Sequence, residues 1–88
     1  MKIRRGDQIL FWLNGSKRVG TVIRVLGWRE MIQTCENEFK AIEFGTNQRA
    51  RLGEDWQKKF WLADVEVNTT LHSVDQDNFI SKVDPYEH

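Results

Sequence analysis

Asn14-Gly15 stands between two runs rich in apolar and β-branched residues, "QILFWL" at 8–13 and "SKRVGTVIRVL" at 16–26. Asparagine and glycine tolerate positive φ at successive positions, which a two-residue hairpin turn demands, so the dipeptide predicts an antiparallel hairpin. Side chains alternate between the faces of a strand. Ile9, Phe11 and Leu13 are the more apolar set of the first strand and are expected in the core, which leaves Gln8, Leu10 and Trp12 outside. On the returning strand the same alternation separates Val19, Thr21, Ile23 and Val25 from Gly20, Val22, Arg24 and Leu26. A glycine inside a strand marks a bulge or a close approach of backbones, so Gly20 suggests the sharply bent strand of a small barrel.

The tripeptide Phe-Trp-Leu of residues 11–13 recurs at 60–62, within "WQKKFWLADVEV". Read as a strand, this segment turns Phe60 and Leu62 inward and Lys59 and Trp61 outward, with Leu62-Ala63-Asp64 as a single 3₁₀ turn before Val65 to Val67 finish the sheet. Between the two copies, "EMIQTC" (30–35) and "FKAIEF" (39–44) read as third and fourth strands around a polar turn at 36–38. Met31, Cys35, Phe39 and Ile42 recur near helical spacing and support a competing helix, against which Thr34, Asn37 and the β-rich neighbours weigh. "GTNQRARLGED" (45–55) reads as a polar loop bounded by glycines, and Trp28 and Trp56 as its borders and those of its neighbours.

The fold class that follows is mainly β: a single five-stranded barrel over residues 1–68. An acidic C-terminal extension over 69–88 follows it, with a short helix at Gln76 to Lys82 docking Phe79, Ile80 and Val83 on the barrel. Eighty-eight residues hold one small core, since a chain of this size buries only about 60% of the surface its unfolded form exposes. With 40% apolar and 30% charged residues and no long apolar run, the composition fits a soluble domain outside the membrane. The first residues are basic but are not followed by an apolar stretch, so no secretory signal is expected and a cytoplasmic setting is. Cys35 is the only cysteine, which excludes an internal disulfide and a thiolate zinc site built from this chain alone. It reads as a small buried hydrophobe, and His72 and His88 fall in the tail region.

"RGDQILFWLNGSKRVGTVIRV", Arg5 to Val25, resembles the opening of many SH3-like barrels and in particular the KOW-type motif. The residues that carry the likeness are Gly6, Asp7, Ile9, Gly15, Lys17, Gly20, Val22 and Val25, about a quarter of the chain. "FWLADVEV" looks like the closing strand, turn and strand of such barrels. KOW domains occur in transcription elongation factors and ribosomal proteins, so the resemblance implies contact with RNA, DNA, or the machines that hold them. SH3-like barrels also serve as pure protein-interaction modules, and the fold alone does not choose between these roles.

Charge and aromatic placement supply the candidate sites. Residues 1–29 carry seven basic side chains against Asp7 alone, whereas 30–88 carry six basic and twelve acidic ones. Arg4, Arg5, Lys17, Arg18 and Arg24 come from one hairpin and lie within reach of one phosphate backbone, and Arg49 and Arg51 extend the patch from the polar loop. The second candidate is apolar. First and last strands are neighbours in an SH3-like barrel, which would place Trp12 and Trp61 on one outer surface with Leu10 and Lys59. The C-terminal segment, a protein partner, a second copy of the chain, or stacked bases are the occupants to weigh for those rings. Nothing in the sequence assembles a nucleophile with its base, a phosphate-binding loop or a metal cage, so no catalysis, metal or cofactor is expected.

The expected function is therefore a non-catalytic binding module. It would regulate or inhibit a nucleic-acid-associated machine by protein contact, and its size and composition fit a phage or mobile-element product. Direct DNA or RNA binding by the basic hairpin is the alternative, and a homodimer through the tryptophan surface is a third use of the same face.

Overall fold

The computed structural model describes residues 2–84, so His88 and the end of the acidic tail lie outside the described residues. The chain divides into two units, one made of the residues up to Val25 together with those from Leu62 onward, the other of Leu26–Trp61.

The first unit is the sheet. Strands β1 (Gln8–Leu13), β2 (Ser16–Leu26), β3 (Leu62–Val67), β4 (Thr70–Asp75) and β5 (Phe79–Lys82) form one five-stranded antiparallel sheet in the order β4-β3-β2-β1-β5. The fold is mainly β, as the sequence predicts. Asn14 and Gly15 adopt φ of 51° and 81°, and the hairpin they close pairs Leu13 with Ser16 through Gln8 with Thr21. Ile9 and Phe11 are fully buried, with Val22, Ala63, Val65 and Val74. Gly20 shows why a glycine is needed in β2. A Cβ there would lie 2.5 Å from Val65 Cγ1, 2.8 Å from the Glu66 carbonyl oxygen and 2.9 Å from Val67 Cγ2.

The sheet is rolled, and its topology requires this. β4 and β5 lie at opposite edges yet are joined by residues 76–78 alone. Four strand spacings in a flat sheet span about 19 Å. Four residues of extended chain reach at most about 14 Å. The two edges must therefore curl toward each other.

The structure departs from three local expectations. The helix expected over Gln76 to Lys82 is a turn followed by β5, which pairs with β1 (Ile9 with Lys82, Leu10 with Ser81, Phe11 with Phe79). The Asp75 carboxylate accepts the N–H groups of Asp77 and Asn78 at 2.9 and 3.2 Å and so favours the turn over a helical start. Residues from 69 onward, expected as an extension, supply β4 and β5. The 3₁₀ turn expected at Leu62-Ala63-Asp64 is the regular start of β3, where Ala63 and Val65 face the core and Leu62 takes the other side.

The second unit is helical, and the third and fourth strands expected at 30–35 and 39–44 are its first two helices: α1 (Trp28–Gln33) and α2 (Glu38–Leu52). The recurrence of Met31, Cys35, Phe39 and Ile42 is not a buried helix face, since it crosses from α1 into α2 and Phe39 and Ile42 are exposed; local caps mark where the helices start. The Glu30 carboxylate accepts the Gly27 N–H at 3.0 Å, and Asn37 caps α2 by accepting the Lys40 N–H at 2.9 Å. The expected polar loop 45–55 is the second half of α2, which ends at Gly53, φ 89°. α3 (Trp56–Lys59) occupies the start of the segment read as a strand. Cys35 is half-buried at the end of α1 rather than on a strand, its thiol donating to the Met31 carbonyl oxygen at 3.5 Å.

An aromatic chain holds this unit together. Trp28 and Trp56 meet edge-on at 5.8 Å between centroids, Phe44 lies 6.2 Å from Trp56, and Phe60 lies 5.1 Å from Phe44. Such pairs add about 0.5–1.5 kcal/mol each beyond the area they bury.

Candidate protein-binding face

Because Ile9 and Phe11 point into the core, Leu10 and Trp12 point away from it. Their cross-strand partners on β2 are Val19 and Lys17, and partners opposite one another share a face. The hairpin's outer face thus carries Leu10, Trp12 and Val19, with Ile23 four residues further along β2. Trp12 is 44% exposed, Val19 48% and Ile23 38%. The Lys17 ammonium lies 5.4 Å from the Trp12 ring centroid, within cation–π range.

The backbone beneath the Trp12 ring is fixed. Its N–H donates to the Asn78 carbonyl oxygen at 2.9 Å, and its carbonyl oxygen accepts from Asn78 Nδ2 at 3.4 Å. The neighbour of β1 is therefore the C-terminal segment, which grips Trp12 by its main chain and leaves the ring half in water.

The strand order expected to bring Trp12 and Trp61 together is not the one observed. The first and last strands are neighbours, but the last strand is β5 and not the second Phe-Trp-Leu segment. Leu62 opens β3, which is separated from β1 by β2. Trp61 and Lys59 belong to the helical unit, where Lys59 Nζ donates to the Leu52 carbonyl oxygen at 3.2 Å. Phe60, expected in the barrel core, is buried within that same unit against Phe44. Of the four residues predicted for this surface, Leu10 and Trp12 share the face. Val19 and Ile23 belong to it too, and the alternation of β2 held the signal: the set containing them is the one that Gly20 and Val22 oppose.

The basic residues divide in the same way. Arg4 and Arg5 precede β1, and Lys17 and Arg18 start β2 at the other end of the hairpin. Arg24 donates from Nε to the Asp64 carboxylate at 3.2 Å. Arg49 and Arg51 sit in the last turn of α2, where Arg49 pairs with Glu54 at 2.5 Å and Arg51 donates to Gln48 Oε1 at 3.0 Å. Arg4, Arg5, Lys17 and Arg18 make no ion pair among the described residues.

One further polar arrangement lies in the sheet unit. A cavity of about 240 Å³ is lined by Gly6, Asp7, Gln8, Lys82 and Val83. The Asp7 carboxylate accepts the Arg4 N–H at 2.9 Å and pairs with Lys82 Nζ at 3.2 Å. The Arg4 N–H, helped by Lys82 and opposed by partial desolvation, holds Asp7 below the usual carboxylate range. These contacts tie the N-terminal segment and β5 together at the foot of β1. Among the described residues no three His, Cys, Asp or Glu side chains gather as metal ligands, and no helix is long and apolar enough to cross a membrane.

A scan against protein-family models finds no match, and neither does a search of curated proteins or of solved structures.

Proposed function

We propose that this chain is a non-catalytic binding module that contacts a protein through the outer face of its β1–β2 hairpin. The observation that carries this reading is the joint exposure of Trp12, Val19 and Ile23 on the side of the hairpin opposite to the one that buries Ile9, Phe11 and Val22. Tryptophan is among the residues most enriched at the energetic centres of interfaces, because one ring buries a large area at little cost in side-chain entropy. The Lys17 ammonium lies over that ring and sets a cation beside the apolar strip. Regulation or inhibition of a nucleic-acid-associated machine, by contact with one of its proteins, is the setting that the KOW-type resemblance of residues 5–25 suggests.

The second reading is direct nucleic-acid binding. Its support is that Arg4, Arg5, Lys17 and Arg18 make no ion pair among the described residues and that one of them, Lys17, lies over an exposed aromatic ring. Capture at rising salt separates the two. Contacts to phosphate predict retention that falls steeply with salt, whereas an apolar protein contact holds. Retention of nucleic acid at low salt and of nothing at high salt would reverse the order of the two readings.

A further inference from the structure

The two edges of the sheet are built differently. β5 carries several of the features that keep an edge from pairing with other chains: it is four residues long, its pairing with β1 shifts register between Leu10 and Phe11, and it ends in an exposed lysine, Lys82. β4 is six residues long and, apart from the charged Asp75 at its end, carries none of them. It pairs with β3 in continuous register, from Val67 with Thr70 to Ala63 with Val74. The stretch from Val67 to Val74 holds no charged residue and no proline. Thr70 and Ser73 are exposed, and Leu71, at 58%, is the most exposed large hydrophobic side chain of the sheet. An edge of this kind is a template for another strand.

We infer that the β4 edge pairs with the β4 edge of a second copy of this chain, in a two-fold antiparallel arrangement that joins two sheets. Identical edges pair antiparallel about a two-fold axis, the commonest closed symmetry. Residues opposite one another in an antiparallel pair face the same side, so the axis passes through a residue position. Centred on Leu71, the pairing sets Leu71 against Leu71 and Thr70 against His72 on either side, with Thr69 in the β3–β4 turn beyond it. No acidic or basic side chain then stands opposite its like, and the exposed leucines cover each other. A self-pairing edge must satisfy this charge condition, and an edge that receives a charged partner segment has no need of it. The inference is independent of the Trp12 face, which lies on β1 and β2.

Sedimentation of the full chain over a range of concentrations tests it, with variants that place charge at the axis. The wild type is expected to dimerise. Leu71→Lys and Leu71→Glu, each studied alone, place like charges opposite one another and weaken the dimer by about a hundredfold or more. An equimolar mixture of the two restores it as a heterodimer. A folding defect would not be rescued by mixing, and the exposure of Leu71 makes both variants compatible with a native melting temperature. A wild-type chain that stays monomeric overturns the inference. A dimer that survives both single variants and is lost on Trp12→Ala also overturns it, because the contact would then be the hairpin face.

Discussion

Lys17 and Trp12 face each other across the β1–β2 hairpin, with the ammonium 5.4 Å from the ring centroid on the side of the sheet away from the core. The pair shows how the hairpin divides its labour. Phe11, one residue earlier, is fully buried and paired with Phe79, while Trp12 turns outward beside a cation. Adjacent aromatic residues thus separate into one that stabilises the sheet and one that remains available for contact.

Truncating each ring in turn exposes this division. Phe11→Ala should cost about 3–5 kcal/mol, enough to unfold a small domain in part or whole. Trp12→Ala should cost about 1 kcal/mol or less, the worth of an exposed ring and its cation–π contact. Urea unfolding of the two variants measures the difference, and similar losses would show that Trp12 is a core residue.

Two glycines should respond to alanine with opposite signs. At Gly20 the new methyl group meets Val65 and the Glu66 carbonyl under 3 Å, so Gly20→Ala should destabilise by about 1–3 kcal/mol or more. At Gly45, inside α2, it meets Trp56 Cζ2 at 3.4 Å, an ordinary contact. Gly45→Ala should then stabilise the helix by about 0.5–1 kcal/mol. Thermal melts of both variants decide this, and destabilisation by both would mean that Trp56 does not accommodate the methyl group.

Gly45 also shows what the sequence conceals. Read as a terminator, it cut α2 in half and left the helix formers of 48–52 as a loop, whereas it lies within a continuous helix and faces Trp56. The β1–β2 hairpin was legible because its signals are local: a turn dipeptide, an alternation and one crowded glycine. The inward set Ile9 and Phe11 followed from that alternation, and the exposed half of the candidate face came with it. β5 was not legible. Its partner is about 70 residues away in the chain, and no local pattern in "NFISK" announces β1 as its neighbour. The strand order assumed for Trp61 and Trp12 failed for the same reason, since it required knowing which strand comes last.

Asp7 should give the fold a measurable acid sensitivity. Its folded-state pKa lies below the ordinary value of 3.8, so the unfolded chain takes up the proton first as the pH falls. The stability it contributes is complete above the unfolded value and is lost as pH drops through the folded one. Asp7→Asn removes this contribution, and its unfolding free energy should vary less with pH below about pH 5. Denaturant titrations at a series of pH values check this, and parallel profiles would show that the contacts to Arg4 and Lys82 do not shift the group in solution.

The aromatic chain of the helical unit makes Trp56 its centre, touching both Trp28 and Phe44. Trp56→Ala should cost about 3–5 kcal/mol and remove much of the near-ultraviolet circular dichroism of the packed rings. A variant that keeps that spectrum would show that the cluster does not depend on the central ring.

The central claim, that the outer hairpin face binds a protein, is tested most directly by comparing capture from lysate by the wild type and by a Trp12→Ala, Val19→Ser double variant at one fixed, high salt concentration. Both proteins should melt within a few degrees of each other. The wild type should retain a discrete protein that the double variant loses. Equal retention by a folded double variant would contradict the account, and would move the search for the contact surface away from β1 and β2.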